Sequence, residues 1–384
     1  MSAPLSRRTA LTLSAASVLG ACAQPRMGSA SASPALPNLR SAPPASLPGS
    51  HELDLRDPAS GNVWRVFVQV PDGPAPAGGY PVLYLLDGNA SFFLAAQLAR
   101  NSGFRPGAMR PDPLMVVGIG YTGDKAWHMT ARKRDYTPPP VHLEDGSGGS
   151  EAFLDFIERQ LQPAIQSAWK VDAARQTLFG HSFGGLLTLH TMATRTPLFT
   201  RYAAASPSLW WNNGQELQTI AQWMERGDSS ANLRIQLRVG SLERARPAND
   251  PQRAAKQAER RMNEHVEGLA ARLTALNRPQ LLVDYKELPG LDHGSVLAPA
   301  LMEALAFAQR RFANAPVEMA DNAAAFQLHL AHQGTHRLLQ RQVVELARPQ
   351  PAEQASHRVI HAQRKLFNMR PALLHACVFC RQAL

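Results

Sequence analysis

Cysteine is nearly absent: the 384-residue chain holds 3, at Cys22, Cys377 and Cys380. That excludes a disulfide scaffold, which needs a short chain dense in cysteine. Cys377 and Cys380 form a single C-x-x-C with no second ligand pair, a poor zinc site, and no metal or cofactor is expected. Long apolar runs are also missing. Ala10 to Ala21 is too short to span a bilayer permanently and no later run reaches that length, so the mature body is expected to be soluble. Acid is the scarcer charge: 30 Asp and Glu against 40 Lys and Arg leave a formal charge of +10. The cations are scattered and no RNA- or DNA-binding motif accompanies them, which argues against nucleic acid as a partner. A positive balance suits an anionic ligand or an anionic membrane surface.

What is present begins with an address. Ser6-Arg7-Arg8-Thr9-Ala10-Leu11 is similar to a twin-arginine export signal, although Ala10 stands where a bulkier residue is usual. Leu19-Gly20-Ala21-Cys22 resembles a bacterial lipobox, with cleavage before Cys22 and a lipid on its thiol. Residues 1–22 are therefore expected to be a signal peptide, and the protein periplasmic and lipid-anchored. Residues 23–49 are Ala, Ser and Pro with few large apolar groups, a semi-extended tether. Residues 50–313 are long enough for one large α/β domain. Residues 314–384 turn polar and rich in Gln, His and Arg. His329, His332 and His336 there could share a helix face, but read as a solvated surface rather than metal ligands.

Within the domain, residues 51–56 and 63–70 read as an antiparallel pair, with Pro71-Asp72-Gly73 as its closing turn. Apolar runs at 81–86, 114–119, 176–179, 202–205, 233–239 and 281–288 read as buried strands. Helical patterns fall between them at 91–100, 186–193, 216–225, 251–276 and 295–311. A further helix is expected from Ser150 as its cap, with Phe153, Phe156, Ile157, Leu161 and Ile165 on its buried face. Strands alternating with helices imply a mostly parallel sheet with helices on both faces. Residues 120–149 read as a long irregular loop, and such loops inside a compact domain usually carry function.

Gly180-His181-Ser182-Phe183-Gly184-Gly185 lies between a strand and a helix. A G-x-S-x-G in that position is a nucleophile elbow, with Ser182 projecting from a turn too sharp for a Cβ at either flanking glycine. Serine needs a base, which in this chain order follows the last strand, so His293 in Leu291-Asp292-His293-Gly294 is expected to take the Ser182 proton. The acid should follow the strand before, which points to Glu243, with Asp250 next; Asp292 could not easily turn back to the ring. The alternative for Glu243 is a surface pair with Arg244 or Arg246. His181, inside the elbow, reads as a packing or substrate-adjacent group. Two backbone amides are needed for the oxyanion: Phe183 supplies one, and Gly88 or Asn89 the other.

Tyr84-Leu85-Leu86-Asp87-Gly88, Arg134-Asp135-Tyr136-Thr137-Pro138, the elbow, Ser206-Pro207-Ser208-Leu209-Trp210-Trp211-Asn212 and Leu291–Gly294 together resemble the putative-esterase family of α/β-hydrolases. Within it they look most like the enterochelin-type esterases of ferric catecholate siderophores. The resemblance covers residues 50–312. It implies an α/β-hydrolase fold, Ser182 as nucleophile and His293 as base; some members work as a Ser–His pair without a well-placed acid. A ferric catecholate trilactone is an anionic, aromatic-rimmed ester, so cations and flat side chains should meet it. Arg132, Lys133, Arg134, Trp210 and Trp211 are the residues expected to do so, with core packing as the other reading of the two tryptophans. Two other functions remain open: a general carboxylesterase or acyltransferase on sugar or phenolic esters, and a lipoprotein that binds siderophore without turnover.

Overall fold

The computed structural model describes residues 39–41, 43, 45–107, 110–139, 146–227, 232–244 and 250–312. The signal peptide, Cys22, Arg246, the three tail histidines, Cys377 and Cys380 lie outside them. The chain divides into residues 1–46 and 47–384. In the first unit the regular structure described is one turn of 3-10 helix, Leu39–Ser41.

The second unit is organised by one 8-stranded sheet, in the order β1-β2-β4-β3-β5-β6-β7-β8. The strands are β1 Ser50–Arg56, β2 Val63–Gln69, β3 Tyr80–Leu85, β4 Met115–Gly120, β5 Val171–His181, β6 Arg201–Ala205, β7 Leu233–Gly240 and β8 Leu281–Leu288. Strand β2 runs antiparallel to β1 and β4, while every other pairing is parallel. The central strands are buried on both faces, and β3 displays why they read as unbroken apolar runs. Val82, Tyr84 and Leu86 enter one hydrophobic cluster, Leu83 and Leu85 the other. That is the two-residue period of the pleat with helices covering both sides.

Helices α1 (Gly88–Ser102) and α9 (Leu297–Gln309) cover one face through Phe92, Ala96, Leu301 and Ala304. The other face takes α3 (Ser150–Phe156), α4 (Gln162–Ala168), α5 (Phe183–Thr194), α6 (Trp211–Arg226) and α8 (Met262–Ala275), through Phe153, Ile165, Leu187, Trp223 and Val266 among others. Each buried Phe, Leu, Ile or Val among them contributes about 1.5–3 kcal/mol.

Several elements depart from the sequence reading. The turn that closes the β1–β2 hairpin is Asp57–Asn62, not Pro71–Gly73. The Asp57 amide donates to Asn62 O at 2.8 Å, and the Asp57 carboxylate accepts the Ser60 amide and hydroxyl at 2.7 and 2.6 Å. The Asp57 side chain sets this Asx-type turn, and Gly61 takes its left-handed position at φ 71°. The 120–149 segment contains a helix, α2 (Met129–Tyr136), whose buried face holds Arg132 and Asp135 beside Tyr136, so hydrophobic spacing did not mark it. Ser150 is the first residue of α3 rather than its cap, with Gly149 at the capping position. The 251–276 helix is two, α7 (Pro251–Arg260) and α8, broken where Arg261 turns left-handed at φ 45°.

Helix α5 is anchored by a charge cluster that runs from the buried Glu216 and His190 out to the half-exposed Glu151. His190 sits between Glu216 and Glu151, 2.9 Å from each, and Arg195 reaches Glu151 at 2.8 Å. Burial alone would push His190 down, but the hydrogen bonds to Glu151 and Glu216 prevail and raise it from 6.5 to about 9. A raised folded-state value means its stabilisation is complete below 6.5 and is lost as pH climbs through about 9. Thermal unfolding midpoints are expected to decline across that window, and His190→Gln should flatten the decline. An unchanged slope in the variant would show that the imidazole does not carry this charge.

Candidate active site

Strand β5 ends at His181 and α5 begins at Phe183, which leaves Ser182 alone in the bend at φ 62°, ψ −118°. A non-glycine residue held there costs about 1–3 kcal/mol, which the surrounding sheet and helix must offset. Gly180 makes the bend possible, since a Cβ on it would lie 2.2 Å from Gly184 C and O. The demand at Gly184 is milder than expected: its Cβ would meet the Leu86 side chain at 3.4 Å, a side-chain contact and not a backbone collision.

The loops after β7 and β8 meet this bend. His293 Nε2 stands 3.0 Å from Ser182 Oγ, and His293 Nδ1 stands 2.7 Å from Glu243 Oε2. Glu243 closes a 3-10 turn, Ser241–Glu243, directly after β7 and is buried, whereas the His293 side chain is 39% exposed. The carboxylate can accept from Nδ1–H, which leaves Nε2 to accept the serine proton. Asp292 accepts from the Gly294 and Ser295 amides and the Ser295 hydroxyl, so it shapes the histidine turn. Asp250 caps α7 instead, taking the Gln252 amide at 3.0 Å. Arg244, offered as a surface partner for Glu243, pairs with Glu264, Glu267 and Glu287.

His181 supports the same turn from beneath. Its Nε2–H donates to the His293 carbonyl at 2.8 Å, and burial, followed by the neighbouring His293, pushes it down to about 3. It therefore stays neutral and serves as a fixed donor.

Helix α1 opens beside the elbow. Asp87 is left-handed at φ 53°, and Ala90 and Ser91 donate to its carbonyl, which leaves Gly88 and Asn89 at the helix's open amino end. The Asn89 side chain is committed to Tyr121, accepting its amide at 2.8 Å and donating to its carbonyl at 2.9 Å. A Cβ on Gly184 would come within 3.6 Å of Asp87 Oδ2, so the amino ends of α1 and α5 adjoin. The amides of Phe183, Gly88 and Asn89 thus belong to neighbouring helix starts, whose dipoles favour negative charge.

Two residues assigned to substrate on sequence grounds are placed otherwise. Arg132 is 3% exposed and forms a bidentate pair with Asp87 at 2.8 and 3.0 Å, with a third bond to His181 O at 3.3 Å. It ties the α1 start to the elbow and cannot reach out as a ligand cation. Trp211, 6% exposed, packs in the core. Arg134 spends its guanidinium on Asp135 at 2.5 and 3.0 Å, and Lys133 is half-buried on the same helix. Trp210 does stand at the site, its ring 6.2 Å from that of Phe183.

The sequence reading missed the cation beside it. Arg260 stacks 4.2 Å over the Trp210 ring, and with Lys256, Gln257 and Met262 it lines a cleft of about 150 Å³ that opens on His293 and Glu243. The spacing of Lys256 and Arg260, one helical turn apart just after the acid's loop, was the available signal. Partial burial lowers the Arg260 pKa, as expected for a cation held partly out of water.

Removing one partner of a buried ion pair leaves the other uncompensated, so Arg132→Gln is expected to destabilise the fold by about 3–5 kcal/mol. Urea denaturation checks this; a loss below about 1 kcal/mol would mean the pair is as weak as an exposed one.

Comparison with known proteins places the chain in a family. The family described as Putative esterase matches residues 59–274. A ferri-bacillibactin esterase of Bacillus subtilis is 32% identical over 273 residues, covering 68% of this chain and 90% of that protein. A siderophore triacetylfusarinine C esterase of Aspergillus fumigatus is 34% identical over 281 residues, covering 68% of this chain and 94% of that protein. Among solved structures, the BES protein from Bacillus cereus matches with a TM-score of 0.63 at 30% identity, over 70% of this chain and 98% of that one. The chain belongs to the Putative esterase family: it is a serine ester hydrolase built on an α/β-hydrolase sheet.

Proposed function

We propose that this esterase opens the ester bonds of ferric catecholate siderophores, with Ser182, His293 and Glu243 as its catalytic residues. The observation that carries the reading is the unbroken line from Glu243 through His293 to Ser182, at 2.7 and 3.0 Å. In the forward step Ser182 Oγ bonds to the ester carbonyl carbon while His293 Nε2 takes its proton. The oxyanion lies against the Phe183 amide and those at Gly88 and Asn89. Collapse expels the alkoxide, which leaves as an alcohol with the proton from His293. Water then repeats the sequence, with His293 as base again, and releases the carboxylic acid and free Ser182.

The substrate class rests on two supports. Relatives bear the names ferri-bacillibactin esterase and siderophore enterobactin esterase. The cleft beside His293 also carries what an anionic catecholate needs, cations at Arg260 and Lys256, with Arg260 braced on the Trp210 ring. A twin-arginine signal and lipidation of Cys22 would place this activity on the periplasmic side of a membrane, facing incoming chelates. Among the described residues no helix is long and apolar enough to cross a membrane.

Hydrolysis of ferric enterobactin and of acetylated sugars should be compared, with Ser182→Ala as control. Loss of all turnover in Ser182→Ala and preference for the siderophore are expected; faster cleavage of the sugars would overturn the substrate assignment. Arg260→Gln should raise KM for the anionic siderophore about tenfold, the scale of a charge-assisted bond, and leave a neutral short-chain ester nearly unchanged. Equal effects on both would remove the electrostatic argument. For the anchor, Cys22→Ala is expected to move the protein from the membrane to the soluble fraction; retention on the membrane would refute lipidation.

A further inference from the structure

The turn after β6 touches both ends of the catalytic line. Ser206 is fully buried and held at φ 42°, a left-handed backbone that serine rarely adopts. Its amide donates to Arg238 O at 2.7 Å, extending the β6–β7 pairing one residue past Ala205. Its hydroxyl donates to Glu243 Oε1 at 2.5 Å, and the Gly240 amide donates to the same oxygen at 2.8 Å. Two residues on, the Ser208 amide donates to Ser182 O at 3.1 Å, and the Ser208 hydroxyl lies 3.4 Å from Ser182 Oγ. Pro207, between them, presses on Gly185, where a Cβ would come within 2.9 Å of its Cα. The backbone twist at Ser206 is what sends one serine toward the acid and the other toward the nucleophile.

We infer that Ser206 is a positioning residue for ester hydrolysis: it occupies one oxygen of Glu243 so that the other is held for His293. The inference rests on the assignment of Ser182, His293 and Glu243 as the catalytic residues. A carboxylate has two equivalent oxygens and an easily turned terminal torsion. With Oε1 bound to Ser206 and Gly240, Oε2 is the oxygen left facing Nδ1. The Ser206 hydroxyl never touches substrate; it acts through Glu243 alone.

Two replacements separate this role from simple packing. Ser206→Ala removes the hydroxyl and keeps the backbone strain, while Ser206→Gly removes the hydroxyl and relieves the strain, since glycine accepts positive φ. Both are expected to lower kcat on a short-chain chromogenic ester about tenfold with KM within about twofold, because only the transition state needs the oriented imidazole. A packing role predicts otherwise, with kcat following the thermal midpoint and the glycine variant recovering. In a Glu243→Gln background, Ser206→Ala should add less than about twofold, since residues acting through one another are not additive. Wild-type kcat in both single variants, or a full tenfold further loss in the Glu243→Gln background, would overturn the inference while leaving the catalytic line intact. Turnover persisting in Ser182→Ala would instead overturn the reading beneath it, and Ser206's role with it.

Discussion

The hydrogen bond between His293 and Glu243 joins residues 50 apart in sequence, and the geometry of the site depends on it. It exists because β7 and β8 are parallel neighbours in register, from Leu233 opposite Leu281 to Gly240 opposite Leu288, so their loops leave the sheet side by side. The two loops are then stitched together. The Leu242 amide donates to Leu291 O at 2.9 Å, an approach that only glycine at 240 permits, since a Cβ there would sit 2.3 Å from that carbonyl. Ser182 arrives from β5 on the same edge. The meeting of these three side chains is therefore a property of strand order: three loops emerge together because three strands end together.

Buried charge has a different task from the cleft's charge. Arg132, Asp87, His190 and Glu216 are buried and paired within the fold, where they hold α5, the start of α1 and the elbow in register. Arg260 and Lys256 line a partly open cleft. An arginine closed over by tertiary contacts has its donors satisfied and nothing left for a ligand, whereas one stacked on an indole still presents its edge. That distinction decides why the cation-rich stretch around Arg132 serves architecture while a helix further along the chain lines the cleft beside His293.

The sheet and the elbow were legible because their signals are local. The apolar runs of β3, β4 and β8 announce strands buried on both faces, and Gly180–Gly184 marks a bend by the side chains it lacks. His293 and Glu243 followed from chain order, since each comes just after a strand that reads clearly. What escaped depended on tertiary partners. Helix α2 buries an arginine and an aspartate, so its hydrophobic spacing is blank until Asp87 is placed against Arg132 and the Trp64 indole, which donates to Asp135 at 2.8 Å, against the aspartate. The break at Arg261 carries no glycine or proline and shows only in the backbone angle. Arg132 and Trp211 carry the residue types of a binding surface, yet burial removes both from it; composition cannot separate a cation that meets a ligand from one that meets Asp87.

Arg260 stands on α7, outside the bonds that link Glu243, His293 and Ser182, and separated from α8 by the left-handed turn at Arg261. A change of side chain there leaves that line of bonds untouched. On the proposed reading of the cleft, the choice of guest can therefore be retuned on one helix while the cutting apparatus stays as it is.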